Sequence, residues 1–194
     1  MTPGWNWLLA PLMLVGATAQ AQTISTDRPG VGSSPDTVPQ FTLQGEFGSD
    51  SREVRFGVAK GFEVDREDAG WSAKLALIDH AGFKLSLRGS IGDDGKAGFE
   101  VPASVEINSL LTVSTDVIWT RESQTYSAGL NVSATKRLTF SPIFYHDGKA
   151  RAALFATWVP PGADNLQFDI GYDQQRVIVG ISTAINLRQL LLRK

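Results

Sequence analysis

The chain has no cysteine, only two histidines, and no apolar run of transmembrane-helix length. Each absence excludes something. Without cysteine there is no disulfide framework and no thiol for a lipid anchor. Two histidines with no cysteine leave no cluster that could hold a zinc ion, and His80 and His146 fall at opposite ends of the architecture read below. No segment reaches the 18 or so consecutive apolar residues of a membrane-spanning helix. Basic runs are also missing: 18 Lys and Arg against 20 Asp and Glu give a formal charge of −2, so nucleic acid is not an expected partner. No Gly-x-Ser-x-Gly elbow occurs. Gly89 to Lys96 fails as a phosphate loop, because five residues separate Gly89 from Gly95 and Lys96 precedes Ala97 rather than Ser or Thr. A lipid-rim hydrolase would need a His–Ser pair. His146 and Ser127 are the pair on offer, and a solvated loop histidine is the simpler reading. No enzyme activity, metal or cofactor is expected.

What the chain does have is alternation. Short stretches of period two open at Phe41, Phe62, Phe83, Leu111, Leu138 and Leu166, separated by 21, 21, 28, 27 and 28 residues. That interval suits an up-strand, a turn, a down-strand and a second turn. About twelve strands follow: 41–48, 52–59, 62–67, 71–79, 83–92, 98–108, 111–121, 125–134, 138–145, 151–159, 166–173 and 176–187. Most approach the 9–11 residues that a tilted strand needs to cross a bilayer. The expected fold is all-β, an up-and-down antiparallel transmembrane β-barrel preceded by an extended N-terminal arm. Leu8 to Val15 with Ala19-Gln20-Ala21 reads as a signal peptide over 1–21. Residues 22–40, rich in Gly, Pro, Ser and Thr, read as a periplasmic or lumenal arm; 41–187 form the barrel and 188–194 a tail.

Alternation also assigns faces. Leu75, Leu77, Leu87, Val105, Ile107, Val113, Leu130, Val177 and Val179 belong to one apolar set. Glu46, Glu53, Arg55, Glu63, Asp65, Lys74, Lys84, Arg88, Glu100, Glu106, Asp116, Asn131 and Asp169 fall on the other. A soluble barrel puts the apolar set inside; a membrane barrel puts it against lipid. Aromatics favour the second arrangement: Phe47, Trp71, Phe99, Trp119, Tyr126, Tyr145 and Tyr172 fall near one end of their strands, and Phe41, Phe62, Phe83 and Trp158 near the other, as two interfacial belts would. The 138–159 region fits worst. Pro142 interrupts its strand, and Leu154/Ala156/Trp158 competes with Ala153/Phe155/Thr157 for the outward face.

Thr26-Asp27-Arg28-Pro29, then Thr37-Val38-Pro39, then Phe41-Thr-Leu-Gln-Gly-Glu-Phe47 resembles the opening of a bacterial outer-membrane family named for transport and for a putative MetA pathway of phenol degradation. Val54 to Val64 and Thr135 to Phe140 look like that family's repeated hairpins. The resemblance implies an outer-membrane barrel passing small, aromatic or hydrophobic compounds. The tail, Arg188 to Lys194, departs from the terminal aromatic usual in such barrels.

The functional expectation is a narrow passive channel in a bacterial outer membrane, with lipid and the barrel-assembly machinery as partners and a small solute as cargo. Glu46, Arg55, Glu63, Asp65, Lys74, Lys84, Arg88, Glu100, Glu106, Asp116 and Asp169 are the candidate pore-lining residues; they would set field and bore. The arm, bearing Asp27 and Arg28, is expected to fold inward as a plug or gate, pairing with groups such as Glu63, Lys84 or Glu106. Alternatives are a structural or surface-interaction barrel without conduction and a soluble periplasmic ligand-binding barrel.

Overall fold

The computed structural model describes residues 33–49, 51–174 and 176–192. The expected signal peptide, Asp27 and Arg28 lie outside them. The strands are β1 (Thr42–Gly48), β2 (Arg52–Ala59), β3 (Phe62–Glu67), β4 (Gly70–His80), β5 (Phe83–Gly92), β6 (Ala97–Glu100), β7 (Ala103–Asn108), β8 (Leu111–Thr120), β9 (Gln124–Thr135), β10 (Leu138–His146), β11 (Ala150–Trp158), β12 (Leu166–Asp173) and β13 (Arg176–Asn186), with a short helix α1 (Leu187–Leu192) after them. Consecutive strands pair antiparallel except β6 with β7, and β1 pairs with β13, Phe47 opposite Ile181, so the sheet closes on itself. Closure leaves no unpaired edge.

β6 and β7 form one stave. Both pair with β5 and β8, and the stave breaks at Val101–Pro102. Pro102 has no N–H to give the ladder; its carbonyl still accepts from Ser86 N at 3.0 Å. The barrel therefore has twelve staves, as alternation predicted. In β4 the register shifts between Ala76 and Ile78, so Leu77 and Ile78 both face outward. The turn between β4 and β5 is a tight two-residue hairpin, with Ala81 at φ 50° and Gly82 at φ 79°.

The dressing of this barrel is inverted relative to a soluble one. Leu75, Leu77, Val177 and Val179 stand on the outer wall at 46, 51, 63 and 52% exposure, while Arg55, Glu63 and Lys74 inside are at 0%. In water such a band is far larger than the apolar patches a soluble monomer tolerates. The competition in β11 resolves with Leu154 and Trp158 outside and Phe155 buried inside. Outer-wall aromatics mark both rims. Phe99 stacks on Trp119 with ring centroids 4.8 Å apart, and Trp158 on Phe168 at 5.8 Å near the opposite rim. Tyr145 is a correction to the belt: it points inward and is buried.

Candidate functional site: the lumen

The interior is built from the inward positions of every stave, and its two halves differ in chemistry. On the wall formed by β1 to β7, charged side chains interlock. Arg55 meets Glu63 at 2.7 Å and Glu46 at 3.2 Å, and Lys74 meets Glu63 at 3.2 Å. Arg88 contacts Glu53 at 3.1 Å, Asp65 at 3.0 Å, Glu100 at 3.4 Å and also Glu67. Burial of such charges is tolerable because each has a counter-ion and further hydrogen bonds.

The arm lies against this wall. Ser33 N donates to Glu100 Oε1 at 2.8 Å and to Asp116 Oδ2 at 2.9 Å; Val38 N donates to Glu63 Oε2. Lys74 Nζ donates to the Ser34 carbonyl at 3.1 Å, Ser86 Oγ to the Pro35 carbonyl, and Arg88 Nη1 to Ser33 Oγ at 3.0 Å. Lys84 Nζ sits 2.5 Å from Asp36 Oδ1. Wall side chains thus hold largely the arm's own backbone groups. Gly57 makes the fit possible, because a Cβ there would collide with the carbonyl oxygens of Val38 and Pro39. Phe41, at φ 60°, turns the chain out of the lumen into β1, its N–H donating to the Gly57 carbonyl at 2.7 Å. Of the arm's expected partners, Glu63 and Lys84 touch it among the described residues.

The opposite wall, β8 to β12, carries hydroxyls and amides. Beside the arm it leaves a cavity of about 340 Å³, lined by Ser104, Thr112, Ser114, Ser127, Asn131, Ser133, Thr139, Thr157 and Gln167. Gly82, of the β4–β5 turn, also lines it, so the cavity reaches the rim at which the arm enters the wall. The charged groups on it are Asp36, Lys84, Glu106 and Asp116. Asp169 lies deeper, held by Thr157 Oγ1 at 2.5 Å and Gln167 Nε2 at 3.0 Å.

Nearer the far rim the lumen contains an apolar cluster that alternation alone did not reveal: Ile143, Tyr145, Ala153, Phe155 and Ile178. Tyr145 Oη donates to Asp173 Oδ1 at 2.7 Å and accepts from Gln174 Nε2 at 2.6 Å. The Phe155 ring lies over Gly171, where any Cβ would strike it. Two aromatics in a strand pair whose face was ambiguous gave no signal of facing inward.

Each expected lining residue falls on the lumenal side. Inward carboxylates are Glu46, Glu53, Glu63, Asp65, Glu67, Asp79, Glu100, Glu106, Asp116, Asp169 and Asp173. Inward cations are Arg55, Lys74, Lys84 and Arg88, with Arg151 and Arg176 at the far rim. The candidate hydrolase pair is not assembled. Ser127 is opposite the inward Tyr145, and His146, one residue on, takes the outer face.

The sequence matches no protein-family model and no curated protein. Solved structures do match. The KdgM porin is 12% identical over 74% of this chain and 96% of its own, with a TM-score of 0.50. The same porin in complex with disordered oligogalacturonate gives 10% identity, the same coverage and a TM-score of 0.50. The NanC porin is 12% identical over 75% of this chain and 99% of its own, at 0.48. The likeness to KdgM establishes a porin-type barrel fold. The resemblance to the phenol-degradation family has no counterpart among these matches.

Proposed function

We propose that the protein is a narrow passive channel of a bacterial outer membrane, its bore restricted by its own N-terminal arm. The observation that carries this reading is the inverted dressing: an aliphatic outer wall bounded by aromatics around a polar cavity of about 340 Å³. Lipid is then the partner of the outer wall, and delivery there requires export and the barrel-assembly machinery. Twelve staves lie between the eight whose interior side chains fill and the sixteen or so that leave a wide aqueous channel. The arm and the charged network take up one half of that space. What remains is sized for a small solute, near the lower end of ordinary ligand pockets at about 300 Å³. Apart from Ile143 and Pro35 its side chains are polar or charged, which favours small hydrophilic cargo over the aromatic compounds that the family resemblance implies.

Planar-bilayer recording tests this. Wild-type protein should show small unitary conductances. Deleting residues 22–35, or substituting Gly57→Val to displace the arm without shortening the chain, should enlarge them. Equal conductance in all three removes the arm's role. Silence in all three, with folded barrels confirmed by the heat-modifiable gel shift, leaves the non-conducting structural barrel as the reading.

A further inference from the structure

We infer that the lumen holds a second constriction, separate from the arm: the apolar cluster on β10, β11 and β13 is a belt that a solute parts to travel between the polar cavity and the far rim. This rests on the channel reading above. The inward positions of single staves show the belt in cross-section. On β11 they run Arg151, Ala153, Phe155, Thr157, and on β13 an inward Ile178 lies between Arg176 and Ser182. Polar groups thus stand on both sides of an apolar layer. Ile143 is the member of the cluster that lines the polar cavity, and Tyr145, Ala153, Phe155 and Ile178 lie beyond it. Phe155 is 3% exposed and Ile143 and Ile178 7%, so almost none of the belt's surface is open to water. On its far side Arg151 Nε meets Asp147 Oδ1 at 2.9 Å, and Arg176 is opposite Asp173.

The belt is the part of the lumen that can yield. Across from it the wall around Arg55, Glu63 and Arg88 is closed by ion pairs, and opening a path there breaks several charge-assisted hydrogen bonds at once. The belt is held mainly by dispersion contacts, which have no direction and let side chains change rotamer. One member is tethered. Tyr145 Oη bridges Asp173 and Gln174, and Gln174 sits at φ 48° in a turn made of two glutamines, where hairpins favour Asn-Gly. A long side chain keeps a left-handed backbone where its surroundings over-determine it, and here the bond to Tyr145 is one such hold. The β12–β13 turn is therefore the clasp of the belt. Such a constriction acts on hydration rather than on the sign of charge. Ions of either sign shed water against side chains that offer no replacement; a small uncharged solute loses less.

The test is unitary KCl conductance in planar bilayers for wild type, Phe155→Ala and Tyr145→Phe, each alone and combined with the arm-displacing Gly57→Val. Phe155→Ala should raise conductance about two-fold or more in both backgrounds, by removing the ring that narrows the belt. Its combination with Gly57→Val should exceed either change alone, because the two constrictions act in series. Tyr145→Phe removes one oxygen and frees the clasp, so it should raise the fraction of time spent in the larger conductance. The heat-modifiable shift checks folding, and Tyr145→Phe carries the test if Phe155→Ala does not fold. A second readout needs no current. The chain has no cysteine, so Ala153→Cys gives a single thiol in the belt and Ser133→Cys one in the cavity. A charged methanethiosulfonate should label position 133 quickly and position 153 slowly, until Phe155→Ala is added to the latter. Conductance unmoved by both belt variants in folded barrels overturns the inference and leaves the channel reading intact. Equal labelling of positions 133 and 153 in otherwise wild-type protein does the same. A wild type that is silent while Phe155→Ala conducts supports it. Silence in every folded variant, Gly57→Val included, overturns the channel reading and this inference with it.

Discussion

Arg88 is where carboxylates from three strands converge. Its Nε donates to Ser72 Oγ at 2.9 Å, and its two terminal nitrogens reach Glu53, Asp65, Glu67, Glu100 and the arm's Ser33. Only a planar fork with five donors can serve so many acceptors at once. Arg88→Met keeps the side chain's length and removes the charge, leaving the Glu53, Asp65 and Glu67 carboxylates within 4.8 Å of one another without the arginine between them. We expect a loss of about 3–5 kcal/mol, the cost typical of breaking a buried ion pair. Arg88→Lys should recover part of it. Urea midpoints of the folded band in lipid or detergent measure both. A loss no greater than the roughly 1 kcal/mol of an exposed pair would show the network to be ornamental. Alternation was enough to put Arg88, Arg55 and Lys74 on the inner face. It could not say which acids they meet: Glu100 faces Arg88 directly across the β5–β6 pairing, but Glu53 on β2 reaches it over two intervening strands, which only the register and curvature of the wall decide.

At the level of elements, the strand bounds were legible almost residue for residue: β2, β3, β5 and β12 occupy the ranges that alternation gives. Turn chemistry explains why. Pairs such as Lys60-Gly61, Ala81-Gly82 and Asp94-Gly95 carry the positive φ that hairpins require. Pro102 was read through, since one missing donor does not disturb a period of two; only the pairing shows the break. The path of residues 33–40 was not legible, because most of their anchors are backbone groups with no side-chain signature. One turn carries a pH signal. Arg66 grips Asp93 with two bonds of 2.8 Å and lies over Trp71, tying the β5–β6 turn to β3 and β4. The hydrogen bond from Arg66 holds the Asp93 carboxyl below its usual range. A depressed carboxylate stabilises the fold above its unfolded value, about 3.9, and loses that contribution as pH falls through the lower folded value. Asp93→Asn should therefore differ from wild type at neutral pH, slightly because the pair is exposed, and the difference should vanish on acidification. A gap between the two urea midpoints that persists in acid would assign the effect to shape rather than charge.

For the molecule as a whole, the decisive property is which solvent the outer wall faces. No helix among the described residues is long and apolar enough to cross a membrane. Leu75 sits mid-way along β4, 46% exposed, with Phe62 and Leu87 as cross-strand neighbours. If acyl chains surround it, Leu75→Arg places an unpaired cation near the bilayer centre at a cost of about 2–4 kcal/mol. If water surrounds it, the same change removes an exposed leucine from a soluble surface and costs within about 0.5 kcal/mol. Substituting Lys96→Arg, in the far-rim turn, controls for added bulk outside the apolar band. Folding into lipid vesicles, followed by the gel shift across a urea series, separates the cases. A large loss for Leu75→Arg beside an unchanged Lys96→Arg is the expected result. Near-equal midpoints, together with recovery of the wild type from the soluble fraction without detergent, would make this a water-borne barrel and remove the basis for a channel.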